Sequence, residues 1–200
     1  MLDQATRASL APALDRGAEA LERLGVRAGT LTGIGLLIGV GACVAAALGV
    51  WILALVLWLA NRTLDGLDGP LARRTGASAL GGLLDFVADF VVYSGFIVGV
   101  AIAEPEARLA CLVLLATYLV NNVALLSFSS LVERLDLSYG DERSLRFTAG
   151  LAEGTETIVV YVLFCLFPGA AEEIAWGFAG LVALTALQRV ALAVKVLGGR

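Results

Sequence analysis

Apolar residues in this chain run in continuous blocks rather than in helical stripes. Six blocks approach the length needed to cross a bilayer, at about 30–47, 50–64, 82–103, 108–130, 148–168 and 172–194. Gly49 separates the first pair, "EPEAR" at 104–108 separates the third from the fourth, and "PGAAEE" at 168–173 separates the last two. The longest polar connection is "ERLDLSYGDERSLR", residues 133–146. Ahead of the first block, Leu10, Leu14, Leu21 and Leu24 recur at helical spacing with Arg7, Arg16 and Arg23 between them. That pattern predicts an amphipathic helix lying on the membrane surface, which Pro12 and Gly17 oppose. The expected fold is an all-α integral membrane protein. It has a juxtamembrane helix over 1–29 and one domain of six transmembrane helices over 30–200.

Composition agrees with the pattern. Hydrophobic residues make up 59% of the 200 and charged residues 16%, with a mean hydropathy of +0.88. A soluble helical protein would need its apolar residues striped, so these blocks argue against one. The first thirty residues carry charges throughout and no apolar stretch of their own, so they do not read as a signal peptide. Cys43, Cys111 and Cys165 are far apart within apolar runs and read as helix-packing residues, not as a disulfide or thiolate site. The chain has no histidine, so acid–base chemistry must come from carboxylates, Lys, Tyr or Cys.

Charge placement predicts the topology. Arg7, Arg16, Arg23 and Arg27 precede the first block; Arg62, Arg73 and Arg74 follow the second; Arg134, Arg143 and Arg146 follow the fourth; Lys195 and Arg200 follow the sixth. Lys and Arg near span ends concentrate in the cytoplasm, so both termini are expected there. Glu104, Glu106, Glu172 and Glu173 fall on the opposite side, with Arg108 as the one base among them.

The polar feature that topology does not explain is "DGLDGPLARRTGASALGGLLDFVADF", residues 65–90. Asp85 and Asp89 sit inside an otherwise apolar block, where an ionisable residue at the centre costs about 2.5–3.5 kcal/mol. Spaced by four, they share a helix face, and Asp65 and Asp68, spaced by three, can do the same. Four converging carboxylates repel, at about 4 kcal/mol per pair for unit charges near 4 Å and an effective dielectric near 20. Divalent cations relieve that repulsion, and oxygen-only ligands favour Mg²⁺, Mn²⁺ or Ca²⁺ over zinc. Two such ions would clamp the attacking and leaving oxygens of a phosphoryl displacement. Arg73 and Arg74 supply guanidinium groups suited to phosphate oxygens, though both also fit as cytoplasmic anchors. Gly69, Gly76, Gly81 and Gly82 let a bulky ligand approach the backbone, or let helices pack.

The order of these residues resembles the signature of the CDP-alcohol phosphatidyltransferase family. Asp65, Asp68-Gly69, Ala72-Arg73, Gly81, Asp85 and Asp89 stand at its permitted spacings, and "ALERLGVRAGTLTGIGLLIGV" is similar to the family's surface helix and first span. The resemblance implies transfer of a substituted phosphate from a CDP-linked donor to an alcohol, with release of CMP and dependence on two ions, Mg²⁺ or Mn²⁺. It implies Asp65, Asp68 and Asp85 as metal ligands, and Asp89 as a further ligand and the general base. Gly69, Ala72, Arg73 and Gly81 would contact or make room for the cytidine diphosphate. Members often pair as homodimers. The expected setting is the inner membrane, with several passes and the active site facing the cytoplasm. The expected partners are the bilayer, CDP-diacylglycerol and a small polar alcohol, with no nucleic acid.

The chain departs from the family in two places. Ala28-Gly29 stands where many members have Pro-Asn, and Gly154 and Thr157 stand where inositol-phosphate-using members carry arginines, which argues against that acceptor. Arg134, Arg143, Arg146 and Glu153 are candidates for acceptor binding, the arginines being equally explained as anchors. Glu153 and Glu156 also fit as interfacial partners of Arg143 or Arg146, and Asn121 and Asn122 as interhelical hydrogen bonders. Two other readings stand beside the leading one: a CDP-choline or CDP-ethanolamine transferase to diacylglycerol, and a divalent-cation transporter. A transporter needs acids spread along a path across the membrane, whereas these four gather at one side.

Overall fold

The computed structural model describes residues 2–135, 141–142, 146–147, 152 and 154–198. Seven helices carry the described chain: α1 Leu2–Arg23, α2 Ala28–Ala47, α3 Trp51–Thr75, α4 Ala79–Ala103, α5 Arg108–Arg134, α6 Gly154–Leu166 and α7 Ala171–Gly198. Short 3₁₀ turns, Pro105–Ala107 and Pro168–Ala170, lead into α5 and α7. Between α5 and α6, β1 (Asp141–Glu142) pairs antiparallel with β2 (Arg146–Phe147), Asp141 opposite Phe147.

Among the described residues four stretches are long and apolar enough to cross a membrane: Ala28–Ala47, Ala79–Ala103, Pro105–Arg134 and Pro168–Gly198. Only 28–33% of each apolar window is buried inside the protein. Leu37, at 74% exposure, and Leu187, at 66%, are among the side chains left outside. Apolar faces of this extent suit a lipid solvent, as does the satisfaction of backbone polar groups within helices. The chain is a multi-pass membrane protein. The two other blocks expected to span fall short of that measure for different reasons. The second half of α3 carries Arg62, Asp65, Asp68, Arg73 and Arg74, and α6 has 13 residues, which rise about 20 Å.

Gly49 ends α2 as its position suggests. It takes φ +69°, and its N–H and that of Val50 return to the carbonyls of Ala46 and Ala45 at 2.9 Å each. This is a Schellman closure, whose left-handed residue is strained in anything but glycine or asparagine. The N-terminal segment is helical through both Pro12 and Gly17. Ala18, Leu31 and Leu71 form a small buried cluster there, with Leu21, Leu64 and Leu67 against it, so α1 lies along the second half of α3.

Packing opens a cleft in the middle of the chain. Helix α2 packs closely on both α3 and α4, and α5 packs on α7. A Cβ on Gly39 of α2 would sit 2.4 Å from the Val92 side chain of α4 and 2.9 Å from Asn61 Nδ2 of α3. Glycine there lets both helices close on α2. The main core continues behind as an aromatic stack. Trp58 lies 4.5 Å from Tyr161 and 5.5 Å from Phe96 between ring centres, and Tyr161 donates a hydrogen bond to the Tyr93 carbonyl at 2.8 Å.

Candidate active site

Asp65 and Asp68 come from consecutive turns of α3, and Asp85 and Asp89 from consecutive turns of α4. Helix α4 begins at Ser78, whose hydroxyl accepts the Gly81 N–H at 3.0 Å and caps the helix. With residues 76–78 as the only link between the helices, the two acidic pairs end up on opposite walls of one cleft. Thr32, Asn61, Asp65, Asp68, Asp85 and Asp89 line it, with apolar side chains of α2 and α4 behind them.

Asp65, Asp68 and Asp85 each bring a carboxylate oxygen within 4.8 Å of the others. Asp68 is buried at 6% exposure, and its Oδ2 lies 3.1 Å from the Thr32 hydroxyl. Three carboxylate oxygens this close, with Asp68 largely out of water, are a poor arrangement for bare charges and a good one for a hard divalent cation. The donor set fits Mg²⁺ or Mn²⁺ and lacks the nitrogen and sulfur ligands that zinc prefers.

Asp89 lines the same cleft under a different constraint. Its Oδ1 accepts from Arg62 Nη2 at 2.9 Å, in an ion pair whose side chains are 26% and 5% exposed. Arg62 had been counted among the basic residues that anchor span ends. It is instead buried at 8% exposure, because its guanidinium turns inward to the carboxylates. Nε and Nη2 donate to Asn61 Oδ1 at 2.8 and 2.6 Å, and Nη1 donates to Tyr93 Oη at 2.6 Å. The pattern that could have exposed its role is its place three residues before Asp65, on the same face of α3.

The other expected residues are spread over several elements. Gly69, Ala72 and Arg73 continue along α3, with Arg73 exposed, and Gly81 is in the first turn of α4. Arg74 points back to α1, donating from Nε to Glu22 Oε2 at 2.6 Å. Of the acceptor candidates, Arg134 is exposed at the end of α5 and Arg146 lies in β2; Arg143 and Glu153 fall outside the described residues. Thr157 is buried in α6. Asn121 makes an interhelical hydrogen bond, accepting from Arg189 Nη1 of α7 at 2.9 Å. The cysteines are free, Cys111 and Cys165 buried and Cys43 half-buried.

Known proteins resemble this chain over most of its length. Over 193 residues the chain is 38% identical to the inner membrane protein YnjF of Escherichia coli K12, covering 95% of this chain and 94% of that one. The fold is shared with crystal structures of phosphatidylinositol phosphate synthase (PgsA1) of Mycobacterium tuberculosis. The form with CDP-DAG bound superposes with a TM-score of 0.71 at 20% identity, covering 90% of this chain and 93% of that one. The form with manganese and citrate gives 0.71 at 22% identity, covering 90% and 88%. Residues 26–194 match the family model for CDP-alcohol phosphatidyltransferases, so the chain belongs to that family and is a transferase of substituted phosphate groups.

Proposed function

We propose that this enzyme transfers a phosphatidyl group from CDP-diacylglycerol to a small polar alcohol and releases CMP. The observation that carries the reading is the convergence of Asp65, Asp68 and Asp85 to within 4.8 Å in a cleft shared with Asp89. In the reaction the alcohol oxygen attacks the phosphorus that bears the diacylglycerol. The bond from that phosphorus to the CMP oxygen breaks, and the hydroxyl proton leaves with a base. Asp65, Asp68 and Asp85, with Asp89, would hold two Mg²⁺ or Mn²⁺ ions. Bound there, the ions would draw charge from the diphosphate and stabilise CMP as a leaving group.

The remaining work falls to the chain's own side chains. Asp89 takes the proton from the attacking hydroxyl, a role open to a carboxylate in a protein without histidine. Arg73, exposed one turn beyond Gly69 on α3, grips the diphosphate, while Gly69, Ala72 and Gly81 leave room for the nucleotide. The acceptor is not an inositol phosphate on this reading, since Gly154 and Thr157 offer no cation for its phosphate. Arg134, Arg143, Arg146 and Glu153 remain the residues proposed to meet the acceptor. Six spans in the inner membrane, with α1 as a surface helix and the cleft opening to the cytoplasm, are the topology we infer from the basic residues at the span ends.

The test is CMP release by the purified protein in detergent, with Mg²⁺ or Mn²⁺ and CDP-diacylglycerol. The acceptor panel holds glycerol phosphate, serine, inositol, inositol phosphate and phosphatidylglycerol. Metal-dependent release with one acceptor is expected. Turnover only with CDP-choline or CDP-ethanolamine and diacylglycerol would reverse donor and acceptor, and no turnover with either set would overturn the proposal.

A further inference from the structure

The guanidinium of Arg62 has a more complete set of partners than a topology anchor needs. Its five N–H groups meet five acceptor contacts: two to Asn61 Oδ1, one to Tyr93 Oη, one to Asp89 Oδ1 and a longer one of 3.5 Å to Asp65 Oδ2. Its carbon lies 4.9 Å from the centre of the Trp58 ring and 4.7 Å from that of Tyr93, distances at which an aromatic face attracts a cation. Asn61 is pinned in turn, donating from Nδ2 to the Gly35 carbonyl of α2 at 2.9 Å. The cation is thus fixed to α2, α3 and α4 at once, with its charge at the edge of the carboxylate cleft. Buried ion pairs add little stability over apolar replacements of similar size, so stability alone does not account for a charge held this way.

We propose that Arg62 is a positioning residue and internal counter-cation. It holds Asp89 by one oxygen and offsets the charge of Asp89 and Asp65, keeping the Asp89 carboxylate in the orientation that meets the acceptor hydroxyl. The inference rests on the reading of the cleft as a metal-dependent phosphatidyltransferase site. A consequence distinguishes it from a packing role: removing the cation takes its repulsion from the ion, leaves the field of Asp89 and Asp65 unopposed, and frees the Asp89 carboxylate to turn. Metal should then bind more tightly while turnover becomes slower.

The experiment measures Mn²⁺ affinity of the purified protein by electron paramagnetic resonance of the free ion, without substrates, beside CMP release and thermal melting. Arg62→Gln removes the charge and keeps a hydrogen-bonding side chain. It is expected to bind Mn²⁺ at least about threefold tighter and to lose about 100-fold in kcat, with KM for CDP-diacylglycerol within about threefold. Arg62→Lys keeps the charge without the fork, so it should bind Mn²⁺ as the wild type does and lose about tenfold in kcat. Unchanged or weaker Mn²⁺ binding in Arg62→Gln overturns the counter-cation role. So does an Arg62→Lys protein that binds Mn²⁺ more tightly than the wild type, a readout that serves if Arg62→Gln does not fold. A wild type that binds Mn²⁺ but releases no CMP defeats the functional reading and leaves the affinity comparison standing.

Discussion

Among the described residues two arginines are buried, Arg62 at 8% exposure and Arg189 at 6%, and they stand in different parts of the molecule. Arg62 meets the carboxylates of Asp89 and Asp65, the Asn61 amide, a phenol and two aromatic rings. Arg189 joins α7 to α5 through the Asn121 carbonyl oxygen. Arg62 stands beside a metal-suited cluster, where its charge sets local field and geometry, whereas Arg189 bonds across the contact between α7 and α5 and helps tie those helices together. Similar burial therefore accompanies different placements, one guanidinium beside the acidic cleft and the other at a helix contact.

The comparison breaks most decisively at the acids. Asp68→Asn is expected to lower CMP release at least about 1,000-fold and to weaken Mn²⁺ binding strongly, because it removes a buried carboxylate proposed as a metal ligand. Asp89→Asn should also abolish turnover but leave CDP-diacylglycerol binding near the wild-type level, measured by CMP release and by equilibrium binding. Equal loss of binding in both would erase the division of roles between them. A smaller effect is expected when the support behind Arg62 is cut. Asn61→Ala should reduce kcat about tenfold, by loosening the guanidinium that orients Asp89, with a smaller change in KM. On the other side of the comparison, Asn121→Leu should cost about 1–2 kcal/mol of stability in a detergent unfolding titration and keep CMP release within about threefold at low temperature. A large loss of activity there would move Arg189 from tie to site. The smallest effect is predicted for Glu22→Gln, which breaks an ion pair whose side chains are 39% and 38% exposed. Melting and turnover should both stay within experimental scatter.

Much of the carboxylate site could be read in the sequence because it is local. Spacings of three and four put Asp65 with Asp68 and Asp85 with Asp89 on common helix faces, and the cost of acids in an apolar block pointed to chemistry. Helix ends were legible where glycine or proline marked them, as at Gly49 and Pro168. Arg62 was harder to read. An arginine at the end of an apolar block satisfies the positive-inside rule, and that adequate explanation hid the inward turn of the side chain. Thr32, 36 positions before its partner Asp68, and Tyr161, 68 positions after its partner Tyr93, depend on pairings between separate helices that no local pattern encodes. For Arg189 and Asn121, likewise 68 positions apart, the sequence suggested an interhelical bond for the amide and left its partner open.

The three-residue link between α3 and α4 bears on how the protein is made. Asp65, Asp68, Asp85 and Asp89, with Arg62 and Asn61, all belong to two successive helices, and the α2 surface on which both pack precedes them in the chain. Every carboxylate of the cleft is therefore synthesised before α5, α6 or α7. Closing so short a connection carries little loop entropy, and contacts of low sequence separation form fast. The later helices arrive as buttresses to a centre already encoded, Tyr161 reaching the Tyr93 backbone from α6. Truncations after α4 would thus separate assembly of the acidic centre from its reinforcement.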